Sequence, residues 1–92
     1  MFIHIGGDVT VMARSVIAIL DAKRQAQSPD TQAFVQDMRK KGAVVRIDEI
    51  EHKSYVITDT TVYISPISSV TLKKRAEEAP FVLDESDNRL EG

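Results

Sequence analysis

His4 and His52 are the only histidines in the 92 residues, and the chain has no cysteine. An imidazole can bind a metal or carry a proton, but each task needs partners. A metal needs further His or carboxylate ligands, and acyl or phosphoryl chemistry needs a nucleophile and an oxyanion site. Neither histidine has such a set at a suitable spacing. His4 falls within the β-type run Phe2-Ile3-His4-Ile5 and reads as a structural histidine, whereas His52, in the polar stretch Asp48 to Lys53, reads as solvated. The lack of cysteine removes thiolate metal sites, disulfides and cysteine nucleophiles together. Ser65, Ser68, Ser69 and Thr71 are accounted for by capping and turns. Gly6-Gly7-Asp8 lacks the longer glycine spacing of phosphate-binding loops and reads as a hairpin turn. The sequence points away from catalysis, a metal or a cofactor.

The cations carry more. Arg39-Lys40-Lys41 lies where a helix would end, and the helix dipole explains it. Lys73-Lys74-Arg75 spreads three charges over the polar arc of a short helix, and it reads equally as a solvated face or as a ridge that contacts phosphates. Arg14 stands alone between apolar strands, where an ion pair between subunits or a DNA phosphate would satisfy its guanidinium. Residues 77 to 92 carry six acids against Arg89, a net −5, which leaves +3 on residues 1 to 76 from the total of −2. A mildly basic body permits nucleic-acid binding without establishing it.

The elements that must hold these groups fit one small core. A chain this long buries about 60 to 65% of its extended surface. Phe2 to Ile5 and Val9 to Met12 flank the glycine turn as a hairpin. Ser15 to Leu20 forms a strand with both faces apolar, one carrying Val16, Ala18 and Leu20 and the other Ile17 and Ile19. So small a domain covers both faces with difficulty, which hints at an oligomer. After a polar lead-in over residues 21 to 28, Ser28 as N-cap and Pro29 at the first position open a helix whose apolar face is Ala33, Phe34, Val35 and Met38; Gly42 closes it. Ala43 to Ile47, Ser54 to Thr58 and Thr61 to Ser65 read as an antiparallel meander. Ser68 or Ser69 caps a second helix that ends by Pro80. The expected fold is α+β, a small antiparallel β-sheet domain of hairpin plus meander with two helices. It occupies residues 1 to 83, with an acidic, disordered tail over residues 84 to 92. The longest apolar run, Val16 to Leu20, cannot span a bilayer, and no signal-peptide core forms, so a cytoplasmic chain without membrane contact is expected.

Three stretches carry a resemblance: F-I-H-I-G-G-D-V-T-V at the start, A-R-S-V-I-A-I-L-D after it, and above all Y-I-S-P-I-S-S-V-T-L-K-K-R-A. Over roughly residues 1 to 80 the chain resembles the small bacterial extracellular matrix regulatory proteins. It is closest to their B branch, whose S-P-x-S-S-x-T-L-K-K-R-A ending is similar to residues 65 to 76. The resemblance implies a regulator of biofilm-matrix genes. For the A branch it implies a ring-forming DNA-binding protein with a fold likened to LytTR-type domains. An arginine before the second apolar strand contributes there, and Arg14 matches it. Two adjacent arginines in the loop before the central hairpin also matter there, but this chain has Glu49-Ile50-Glu51-His52-Lys53. Two glutamates at that place repel phosphate.

The reading that follows is a homo-oligomer that binds double-stranded promoter DNA through Arg14, Lys53, Lys73, Lys74 and Arg75. The alternative is a protein-interaction or assembly module that does not touch DNA, with Phe81-Val82-Leu83 and the acids after it docking on a protein partner.

Overall fold

The computed structural model describes residues 1 to 78; expectations for Pro80, Phe81-Val82-Leu83 and the tail lie outside the described residues. The fold is α+β, with strands β1 (Phe2–Gly6), β2 (Val9–Met12), β3 (Val16–Asp21), β4 (Val44–Arg46), β5 (Ser54–Thr58) and β6 (Val62–Ser65). Three helices, α1 (Ala22–Gln25), α2 (Pro29–Lys40) and α3 (Ser69–Glu77), and one 3-10 turn at Ala13–Ser15 complete it. None of these helices is long and apolar enough to cross a membrane.

Strands β1 and β2 form a two-stranded antiparallel ribbon, as the glycine turn predicts. The other four form one sheet in the order β3-β5-β6-β4. The expected meander is therefore corrected. β5 and β6 make its hairpin, but β4 pairs with β6, in parallel, and β3 takes the place beside β5. Strand β3 is antiparallel to β5 and β5 to β6, so β3 and β4 run in one direction at opposite edges. Parallel strands need a long crossover, and the α1–α2 segment supplies it.

Local chemistry sets the helix ends. Ser28 Oγ accepts the Thr31 N–H at α2, Pro29 needs no N–H partner at the first position, and Gly42 leaves the helix at φ +72°. The apolar face of α2 is less covered than its pattern predicts, because the helix meets chiefly β4: Val35 is buried and Met38 half-buried, while Ala33 and Phe34 are exposed. Residues 21 to 28, expected as a polar lead-in, include a one-turn helix. The Asp21 carboxylate caps it by accepting the Lys23 and Arg24 N–H groups at 2.9 and 3.1 Å. At α3, Ser68 Oγ accepts the Thr71 N–H.

Two register slips shape the strands. The alternation expected for β3 breaks between Val16 and Ala18, where Ile17 has no opposite residue and is 68% exposed. In the ribbon the register slips between His4 and Gly6, leaving Ile5 unpaired across it. The Ile5 carbonyl is taken instead by the fully buried Ser65, whose Oγ donates at 2.6 Å and also accepts the Ile67 N–H at 3.0 Å. Ser54, its neighbour across β5 and β6, donates to the Ile67 carbonyl at 2.8 Å. Beside this clamp Gly6 has φ +128°, and a Cβ there would lie 2.9 Å from Pro66 Cδ. Ile3, Ile5, Val11, Ile19, Val56 and Leu72 fill the core between ribbon, sheet and α3.

Replacing Ser65 with Ala leaves the buried Ile5 carbonyl and the half-buried Ile67 N–H without partners. Urea unfolding of Ser65→Ala is expected to show a loss of about 1 to 3 kcal/mol. A change within 0.3 kcal/mol, taken as roughly the measurement error, would refute the clamp.

Candidate nucleic-acid interface

The expected cations are mounted on three separate elements. Helix α3 buries Ser69 and Leu72 and half-buries Ala76, a stripe at spacings of three and four that faces β1 and β3. At about 100° per residue, Lys73 and Arg75 fall on opposite flanks of that stripe, with Lys74 between them on the outward side. All three are exposed. Arg75 already has a partner: its Nη1 donates to the His4 carbonyl on β1 at 2.8 Å. One of its five N–H donors is used in this way, so Arg75 tethers the end of α3 to the ribbon while Lys73 and Lys74 project freely.

Arg14 is exposed in the 3-10 turn between β2 and β3. The turn is held from both sides, by the Ala13 N–H on the Met1 carbonyl at 2.9 Å and the Ser15 hydroxyl on the Met12 carbonyl at 2.8 Å. Lys53 lies at the opposite end of the sheet. Its N–H donates to the Ser65 carbonyl at 2.8 Å, and its carbonyl accepts the Ala22 N–H at 3.1 Å. Arg14 adjoins the Thr58 end of β5 and Lys53 its Ser54 end, so the two are about 15 to 20 Å apart and cannot meet on one phosphate. Lys53 Nζ also faces Glu51 Oε1 at 3.7 Å, the only ion pair among the described residues.

Lys23 and Arg24 are exposed cations that the sequence pattern leaves in a polar lead-in. The Ala22–Lys53 backbone bond brings them next to Lys53. The signal that could have found them is Asp21 two and three positions before Lys23 and Arg24 at the end of an apolar strand, the spacing of a capped helical turn.

The loop before β5 is ordered by Asp48, whose Oδ1 accepts the Ile50 and Glu51 N–H groups at 2.8 and 2.9 Å. His52 Nε2 lies 2.9 Å from the Asp48 carbonyl, and His4 Nε2 lies 2.7 Å from the Gly7 carbonyl. A carbonyl only accepts, so each Nε2 carries the proton, and both histidines serve as local backbone ties. The loop holds Ile50 outward at 86% exposure between Glu49 and Glu51. It presents an apolar tip and negative charge where a phosphate contact would need cations.

A family model described as Extracellular matrix regulatory protein A-like matches residues 2–76. The chain is also similar to the Extracellular matrix regulatory protein B of Bacillus subtilis (strain 168). The two are 40% identical over 77 residues, which cover 84% of this chain and 91% of that protein. The family match takes in the ribbon, the whole sheet and α3 as far as Ala76, and with them all five expected cations.

The Asp48 carboxyl is held below the ordinary aspartate value by the N–H of Glu51 first and of Ile50 second. A depressed carboxyl contributes order that is complete above the ordinary aspartate value and lost as pH falls through the lowered one. The Ile50 and Glu51 amide resonances are therefore expected to shift together, with a midpoint below that of an unstructured aspartate. A midpoint at or above the ordinary value would refute the Asp48 turn.

Proposed function

Because this chain belongs to the Extracellular matrix regulatory protein A-like family, we propose that it is a non-catalytic regulator of extracellular-matrix genes that binds double-stranded DNA as a homo-oligomer. The observation that carries the DNA reading is the mounting of Lys73 and Lys74. They are exposed, without a carboxylate in ion-pair range among the described residues, on a helix fixed at its start by Ser68 and near its end by the Arg75 tether. Cations mounted on a fixed helix meet a phosphate without ordering any backbone, so the cost is confined to the rotamers of the two side chains. Arg14 adds a third contact from a turn that is itself pinned, whereas Lys53 is partly neutralised by Glu51.

Two or three cations per chain bind DNA weakly, and repetition around a closed oligomer raises the effective concentration of each later contact. Support for self-association comes from apolar side chains left exposed on secondary structure: Ile17 at the open edge of β3, and Phe34 and Val45 on the adjoining α2 and β4. Binding of this kind is backbone-directed, so preference among sequences comes from DNA shape and bending.

A second reading is favoured by Ile50. An isoleucine displayed on an ordered loop between two glutamates suits a protein partner with an apolar pocket rimmed by cations. That module would regulate without touching DNA.

The test is a mobility shift of promoter fragments across salt concentrations, with light scattering on the same samples. The double variant Lys73→Ala/Lys74→Ala is expected to keep its oligomeric state and thermal stability. It is expected to lower the dependence of log K on log salt by about two for each subunit engaged. Arg75→Ala is expected to reduce thermal stability as well as affinity. Absence of any shift by the wild-type oligomer at low salt would overturn DNA binding and leave the protein-partner reading.

A further inference from the structure

The outer face of the β1–β2 ribbon is apolar at one end and uncovered among the described residues. Phe2 and Met12 are direct partners across the ribbon, so their side chains stand together on the face opposite the buried pair Ile3 and Val11. Phe2 is 63% and Met12 37% exposed. His4 and Thr10, both exposed, are the next pair on that face. A cation stands at each border: Arg14 in the turn that follows Met12, and Arg75 at the His4 carbonyl.

We propose that this face is the docking site of the chain's own residues 79 to 92. Phe81-Val82-Leu83 lie on Phe2 and Met12, and Asp84 and Glu85 meet Arg14. The exit point of the described chain supports this. Helix α3 packs on β1, is tied to it through the Arg75 side chain and ends at Glu77, with Glu78 as its C-cap, so the following segment starts one helical turn past the residue that reaches His4. The scale of the segment is comparable: Phe81 is three residues past Glu78, about 10 Å of extended chain, Asp84 is six residues past it, about 20 Å, and Phe2 lies about 7 Å along the strand from His4. Order matches as well. From the exit, the ribbon offers His4, then Phe2 with Met12, then Arg14; the segment offers Ala79-Pro80, then three apolar residues, then two acids.

Charge points the same way, with −5 over residues 77 to 92 against +3 over residues 1 to 76. Asp84 and Glu85 on Arg14 withhold that arginine from any polyanion, so the segment competes with nucleic acid. That consequence rests on the DNA reading, but the docking does not.

The chain has no cysteine, which allows a clean cross-linking test on the full chain without nucleic acid. Met12→Cys/Val82→Cys is oxidised at low concentration beside Gln36→Cys/Val82→Cys, whose first cysteine is at an exposed position on α2. A disulfide within one chain is expected to form at least about tenfold faster in the first pair, reflecting a higher effective concentration. Asp84→Asn/Glu85→Gln and high salt are expected to slow it. If Met12→Cys disturbs the fold by circular dichroism, Thr10→Cys takes its place. Equal rates for the two pairs overturn the proposal. So do disulfides that join two chains, which would assign the face to a second copy. Neither result bears on DNA binding, because no DNA is present.

Discussion

One hydroxyl, Ser65 Oγ, joins the three parts of this domain. It lies fully buried at the end of β6, donates to Ile5 in the ribbon, and accepts from Ile67 in the segment that starts α3. Ser54 holds the other side of Ile67, and Pro66 fits against a Gly6 that has no room for a side chain. A buried hydroxyl with both roles filled costs little, whereas its partners left bare in the core would cost far more. Ribbon, sheet and helix therefore take one relative position, and the core of Ile3, Ile5, Val11, Ile19, Val56 and Leu72 closes between them.

The stretch from Ser65 to Ala76 is read most simply as the hardware of that junction. Ser65 clamps the ribbon, Ser68 caps α3, Ser69 and Leu72 bury its inner stripe, and Arg75 ties its end to β1. Most of the residues that carry the family resemblance therefore have structural work. What is left over is the pair Lys73 and Lys74, held outward together with Val70, which is 76% exposed. The same division runs through the rest of the molecule: both histidines bond to nearby backbone, and Asp48 spends its carboxylate on ordering a loop.

This arrangement narrows the electrostatic question. Arg14 and Lys53 do not converge on one anion, and their separation suits an extended polyanion better than a small one. The loop with Glu49 and Glu51 sets a limit on how such a polyanion could lie, because carboxylates beside phosphates repel strongly where water is excluded.

Several features were decided by the sequence itself because their causes lie within a few residues. The turn at Gly6-Gly7, the Ser28-Pro29 start and Gly42 end of α2, and the Ser68 cap of α3 depend on local φ preferences and side-chain capping, which neighbouring residues fix. The α+β class follows from the same patterns. Tertiary structure decided what depends on distant partners. β4 pairs in parallel with β6 because the crossover delivers it to the far edge. Ile17 is exposed because a bulge breaks the two-residue period. Lys23 and Arg24 join Lys53 only through the Ala22 N–H. Arg75 became a tether by meeting a carbonyl 71 positions away. A short sequence window holds one half of each such bond, and only the folded chain holds both.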